Sequence, residues 1–271
     1  NLGSANTVSS VSSDLRETSL LSYAGRLFYS YKSKYILQAT VRADAASQLA
    51  PGNKWGYFPS ASFAWTVTQE DFMKSTSNWL SDMKLQISYG VVGNQAISPY
   101  QTQGSLFRTS YSFNDAAAFG YRQDSQANKE LKWESSEAFN YGLDYSLFDG
   151  KITGNFELYR TNTYDLLMYR KLPITSGYDQ VLQNVGSTLN KGVEMAIRTQ
   201  NINKPDFRWS TGLQASRNRT QITSLYNGTA DDIGNGWFIG QDINVYYDFK
   251  KVGIWQTNEA AQALSYGRTV G

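Results

Sequence analysis

Two pairs of neighbouring carboxylates, Glu70–Asp71 and Asp231–Asp232, are the side chains of this 271-residue chain best suited by type to acid–base work or calcium binding. Glycoside hydrolysis needs two carboxylates facing each other across a cleft, which neighbours in sequence do not establish, and adjacent acids in polar loops are more often solvated. The run from Gly234 to Gly240, GNGWFIG, has the glycine content of a nucleotide loop. Its spacing is wrong for one, and no βαβ unit surrounds it. The chain has no histidine and no cysteine. Serine–histidine triads, histidine bases, histidine or cysteine metal sites and disulfides are thereby excluded within it. No catalytic, metal-binding or cofactor-binding residue is expected, and no cofactor. Trp237 and Phe238 remain as candidates for contact with a substrate or a covering partner protein, since rings beside a long loop can stack on a sugar. The plainer reading is burial inside a folded loop. Lys132-Trp133-Glu134 offers a second possible binding cluster, with Trp133 more plainly an interfacial anchor ahead of a strand and its neighbours solvated or paired. For Asn184-Val185-Gly186 and Asn190-Lys191-Gly192 the plainer role is to set turns and bulges where a strand begins.

The elements that must position these residues are strands. Tyrosine, phenylalanine and tryptophan number 19, 13 and 7. Such an aromatic share suits a surface that is apolar in its middle and wet at its edges. The apolar runs span only a few residues, too short for a transmembrane helix. The mean hydropathy of −0.47 is compatible with a membrane barrel, in which half of each strand faces a polar lumen. Basic residues (25, against 23 acidic) are scattered, not clustered as a nucleic-acid surface requires.

Strict alternation recurs over roughly ten residues, the strand length that crosses a tilted bilayer wall. It is clearest in 139–147, 151–161, 192–198 and 207–216, with further strands expected at 21–31, 35–43, 57–67 and 83–91 and a possible ninth at 243–254. Pro59, near a strand start, fits where no ladder donor is needed. Alternation alone leaves a soluble sandwich and a membrane barrel level. The connections decide between them. Lys32–Ser33, Asp149–Gly150 and Asn201–Asp206 are tight, and Asp-Gly is a strong type I′ signal. The segments 44–56, 92–136, 164–189 and 219–242 are long. Only 68–82 is intermediate, and it has room for a helical turn. Short turns on one side and long loops on the other are the mark of an outer-membrane barrel.

The chain starts at Asn1 without a signal peptide and reaches Gly271 through a polar stretch, which raises the expectation of a piece of a longer barrel. Residues 57–100 carry Tyr57-Phe58-Pro59-Ser60, Trp79-Leu80-x-Asp82-x-Lys84-Leu85 and Ser88-Tyr89-Gly90-x-x-Gly93-Asn94-Gln95. Residues 128–145 add Asn128-x-x-Leu131-Lys132-Trp133-Glu134 and Gly142-Leu143-Asp144. Then come Asp165-Leu166-Leu167, Leu172-Pro173, Ser176-Gly177-Tyr178, Gln183-Asn184-Val185-Gly186, Asn190-Lys191-Gly192-Val193-Glu194 and Gly253-Ile254-Trp255-Gln256. In this order and spacing the series resembles the SusC/RagA family of TonB-dependent outer-membrane transporters from Bacteroidetes-type bacteria. The resemblance implies an all-β fold, an antiparallel transmembrane β-barrel of which residues 1–271 are a segment, with the plug domain and final strands outside them. It implies import of a bulky glycan or oligopeptide, not an enzyme activity. It also implies a SusD-like surface lipoprotein as lid, TonB acting through the plug, and outer-membrane lipid as surroundings. A passive porin and a soluble carbohydrate-binding module remain as alternatives from other classes.

Overall fold

The computed structural model describes residues 13, 15–123, 125–251 and 253–270. Asn1 and Gly271, on which the expectation of a partial chain rests, lie outside the described residues, as does Val252. The strands are β1 (Leu20–Tyr31), β2 (Tyr35–Ala46), β3 (Trp55–Thr66), β4 (Leu80–Asn94), β5 (Leu106–Phe113), β6 (Ala116–Gln123), β7 (Glu134–Leu147), β8 (Ile152–Tyr164), β9 (Leu167–Lys171), β10 (Gln180–Asn184), β11 (Ser187–Lys204) and β12 (Phe207–Ser224). Eight of them form one antiparallel sheet in the order β1-β2-β3-β4-β7-β8-β11-β12, and β5–β6 and β9–β10 are separate hairpins. The eight long strands are those expected, several running further than the alternation reached. The ninth does not form: among the described residues of 243–254 there is no strand. Tyr246 and Phe249 there are fully exposed, so no partner strand supplies the ladder that a strand needs.

The register puts the apolar rows side by side. On one face Leu27, Ala39, Ala61, Tyr89 and Phe139 lie opposite one another across five strands, and Leu143, Phe156, Met195 and Ala215 continue this face across the other three. The opposite face carries Gln38, Ser62, Ser88, Asn140, Tyr159 and Gly192 in matching register. Here Lys84 pairs with Asp144 at 2.8 Å and Arg42 with Asp44 at 2.7 Å. A soluble sandwich would bury the apolar face under a second sheet. Instead that face is bare: Leu27, Val41, Leu158 and Leu213 are all exposed. The described residues form a one-layer wall, as in a barrel, with β1 and β12 at its edges.

Aromatic rings flank the wall. Near the short turns Tyr31, Tyr35 and Phe63 form a chain with centroids 6.5 and 6.4 Å apart. Towards the other end Tyr23 stacks on Trp55 at 6.1 Å. At Gly154 and Gly192 a neighbouring tyrosine fills the place that a side chain would take. The Tyr145 hydroxyl lies 2.5 Å from where a Cβ on Gly154 would stand, and the Tyr159 ring is equally close to Gly192.

Loop lengths segregate by end with one exception: 67–79, at the short-turn end, is longer than 47–54 at the other. Lys32 and Ser33 both have positive φ (52° and 55°), and Lys34 N–H donates to the Tyr31 carbonyl at 3.0 Å. Asp149 and Gly150 do the same (56° and 84°), closed by Lys151 N–H to Phe148 at 3.2 Å, which is the turn that the right-handed strand twist favours. The third turn is tighter than the sequence suggested: β11 continues to Lys204 through a bulge between Gln200 and Ile202, leaving Pro205–Asp206 as the connection. Between β3 and β4 the segment expected to hold a helical turn has two 3-10 turns, Val67–Gln69 and Asp71–Thr76. Pro59 precedes the first β3–β4 pair, Ser60 with Gly90, so no donor is missed on that side.

The buried core sits at the long-loop end. Leu49 from the β2–β3 connection, Phe58, Ile97, Leu131, Trp133 and Leu182 pack into one cluster. Trp133 is thus a correction to the expected interfacial anchor: it is buried, edge-on to Phe58 at 5.2 Å, and its indole N–H donates to the Lys54 carbonyl at 2.9 Å. β3 and β4 pair only from Ser60 and Gly90, and the two rings occupy the room that a side chain on Gly56 or Gly93 would need.

Candidate substrate-contact site at the long-loop end

The connection from β8 to β11 folds back as the β9–β10 hairpin, with Val181 and Leu182 of β10 buried. Asn184 fastens it. Its side-chain amide donates to the Lys132 and Asp165 carbonyls at 2.8 and 3.0 Å, and its oxygen accepts from Lys132 N–H at 2.9 Å. Lys132 also pairs with Asp165 at 2.7 Å, and Glu134 accepts from Asn94 at 3.2 Å and Leu167 N–H at 3.1 Å. The Lys132-Trp133-Glu134 and Asn184 clusters therefore join segments to one another and leave no open binding group. Gly186, at φ 83°, turns the chain into β11, and a register shift follows at Ser187/Thr188. Asn190 and Gly192 are regular strand residues, with Asn190 donating to the Thr220 hydroxyl at 3.0 Å.

The chain after β12 supplies the other wall. Asp232 and Trp237 exchange backbone hydrogen bonds at 2.8 and 2.9 Å around a turn whose Gly236 has φ 72°. The acids expected to be solvated lock this turn instead. Asp232 is buried and accepts from the Asn235 backbone at 3.2 Å and side chain at 2.6 Å, while Asp231 accepts from Ile239 N–H at 2.8 Å. Ile222 N–H to Gln241, and Gly240 N–H to Ile222, both 2.8 Å, tie the turn onto the end of β12.

Between the hairpin and this turn lies a recess of about 410 Å³, lined chiefly by Leu167, Tyr169, Leu225, Trp237 and Ile243, with Lys171 and Gln180 as polar members. Lys171 reaches across to the Gly234 carbonyl at 3.4 Å. Trp237 faces the recess, whereas Phe238 packs on Tyr247 at 4.9 Å. The two candidate rings are brought to one end of the molecule but not to one surface. Tyr169 and Leu225 were not singled out from sequence, their only signal being the length of the loops holding them, and Ile243 was expected to begin a strand. Among the described residues no group of histidine, cysteine or carboxylate side chains could hold a metal ion.

The Glu70–Asp71 pair lies at the opposite end. Glu70 accepts from the Tyr35 hydroxyl at 2.6 Å, Lys34 at 3.1 Å and Trp65 at 3.1 Å, and the Tyr35 and Lys34 hydrogen bonds hold its carboxyl below the usual carboxylate range. Asp71 pairs with Lys74 at 2.7 Å, which lowers its own titration. Both acids brace the β3–β4 turn.

An antiparallel wall of this kind is part of a known barrel family. The family profile described as "TonB dependent receptor-like, beta-barrel" matches residues 2–268. The chain belongs to this family. It is 38% identical over 90% of its length to "TonB-dependent receptor P3" of Formosa agariphila, covering 26% of that protein. To "TonB-dependent receptor SusC" of Bacteroides thetaiotaomicron it is 35% identical over 79% of its length, covering 22% of that protein. In structure it is similar to the "RagAB peptide transporter", with a TM-score of 0.78 and 28% identity over 89% of this chain and 27% of that one. The SusC/RagA resemblance is borne out. The chain spans about a quarter of the length of these relatives.

Proposed function

We propose that the parent protein imports a bulky nutrient, a glycan or an oligopeptide, across the outer membrane of a Gram-negative, Bacteroidetes-type bacterium, driven by TonB, and that these residues form part of its barrel wall and its mouth. One observation supports this most: the eight-stranded wall is apolar on its outward face and polar on its inward face along its whole width, and its long loops gather over one end. An apolar outward face with every ladder group paired is what lipid demands of a spanning sheet. The reading assigns no enzyme activity to the chain. A plug domain and further strands outside these residues, and a SusD-like surface lipoprotein over the mouth, complete the assembly. Trp237 is the residue proposed to meet the substrate, through the recess it lines, and Phe238 the one proposed to meet the lid. The test is purification of the intact parent with its lid lipoprotein and identification of bound molecules by mass spectrometry. Trp237→Ala should lower substrate occupancy about tenfold while leaving lid binding intact, the size expected for losing one stacked ring. Purification of the parent from the soluble fraction without detergent would overturn the proposal.

A further inference from the structure

The outward face of the wall carries a row of cations just below the long loops. Arg160 of β8 lies opposite Lys191 of β11, which lies opposite Arg219 of β12, and Arg217 stands one rung below, opposite Val193. Like charges directly opposite on one sheet face repel, yet three adjacent strands place them so. All four are exposed, and among the described residues none pairs with a carboxylate. By register the acid of this face closest to Arg160 is Glu137, one rung above and opposite Asn162; it forms no ion pair with it. The four cations edge a shallow cleft of about 520 Å³ whose floor includes Tyr141 and Leu158. An anionic head attached to an apolar tail would match both halves of that surface.

The height of the row fits a membrane boundary. Trp209, exposed on the same face of β12, marks the other boundary beside the short turn. At about 3.3 Å per residue and a tilt of roughly 40°, the strand climbs about 25 Å from Trp209 to Arg219, the height of the apolar band of such barrels. Below Arg217 the rungs are Ala215, Leu213 and Thr211 on β12, with Met195, Ile197 and Thr199 beside them on β11.

We infer that Arg160, Lys191, Arg217 and Arg219 form a binding site for the phosphorylated head group of an outer-leaflet glycolipid, whose acyl chains lie along Leu158, Val193 and the apolar rungs below. Arginine presents paired N–H donors to phosphate oxygens and lysine a point charge, so the row neutralises both its own repulsion and the lipid's charge. The inference rests on the proposed membrane barrel, and its test separates the two. The intact parent is purified in detergent, and phosphorylated glycolipid retained by it is measured by native mass spectrometry. Binding is then titrated with that glycolipid, its dephosphorylated form and inorganic phosphate.

The wild-type protein should retain the glycolipid and bind the phosphorylated form more tightly than the dephosphorylated one. Affinity should fall about tenfold for each cation removed in Lys191→Gln, Arg219→Gln and Arg160→Gln, the size of a charge-assisted hydrogen bond. Arg160→Lys should lose less than Arg160→Gln. Heat-modifiable gel migration reports folding of each variant, and the single variants carry the test if the triple variant does not fold. Equal binding of the two glycolipid forms, equal retention by folded wild-type and variant proteins, or a second copy of the chain covering the row without lipid phosphate would overturn the inference while leaving the barrel intact. Absence of the parent from the outer-membrane fraction would instead overturn the barrel reading.

Discussion

The two hairpins set into the long connections differ in build and in placement. β9–β10 lies against the mouth: Val181 and Leu182 are buried, Asn184 clamps its end, and Arg170 caps the Tyr226 ring at 5.0 Å. β5–β6 stands clear, with Phe107, Tyr111, Phe113, Phe119 and Tyr121 all more than half exposed. Its rings meet its own side chains: Arg108 lies over Phe119 at 4.0 Å, Arg122 over Phe107 at 5.2 Å, and Tyr111 against Phe113 at 4.8 Å. Its base is tied down by Ser105 N–H to the Ser125 hydroxyl at 2.9 Å and by the Tyr178 hydroxyl donating to Gln123. Two strands alone are marginally stable in water. One hairpin is therefore held along its length by the wall beneath it and the other by contacts at its base, and that difference separates a fixed wall of the recess from an arm that stands clear of it.

The sharpest way to break the contrast is to empty the bed of β9–β10. Trp133→Ala, in the buried cluster with Leu182, should cost roughly 3–5 kcal/mol, read as a fall in the denaturant midpoint of the intact parent. Tyr111→Ala or Tyr121→Ala should stay within about 0.5 kcal/mol, as exposed substitutions do. Equal effects would mean that β5–β6 is as deeply packed as its counterpart. Asn184→Ala should cost roughly 1–3 kcal/mol, because it strips partners from backbone groups beneath the hairpin. Its expected signature is faster amide exchange in 165–186 with 105–125 unchanged. In limited proteolysis of the folded protein, the first cut in the long connections should fall near Asn114–Asp115 and not in 172–179; the reverse order would invert the comparison.

The smallest effect is expected at the end that neither hairpin touches. Glu70 titrates below its unfolded value. Its contribution to stability is therefore complete above that unfolded value and disappears as pH falls through the lowered folded one. Glu70→Gln should flatten that acid limb in melting curves of the parent without altering proteolysis of either hairpin. A Glu70→Gln protein with the wild-type acid limb would show that the Tyr35, Lys34 and Trp65 bonds do not hold the turn.

Much of the wall was legible because a strand of alternating type declares its two faces locally. Phe139 to Leu147 needs no knowledge of its neighbours to be read, and Asp149–Gly150 turns for reasons internal to those two residues. The hairpins were harder. Asn114–Asp115 adopt positive φ (48° and 62°) just as the recognised turns do, but β5 and β6 are short and lie inside a segment read as loop. The strand expected at 243–254 failed for the converse reason: apolar residues in a row do not make a strand without a partner.

The sequence by itself determined the eight strands of the wall, the contrast of short turns and long loops and the family, because backbone periodicity, turn chemistry and ordered motifs are local properties. Only the tertiary structure decided that Trp133 is a core residue, that Asp232 locks a turn, that Trp237 and Phe238 part company, and that Arg160, Lys191 and Arg219 share one row. Each of those facts depends on which strand lies beside which and in what register. Register is fixed by side chains packing across the sheet over long separations in the chain, where no local pattern reaches.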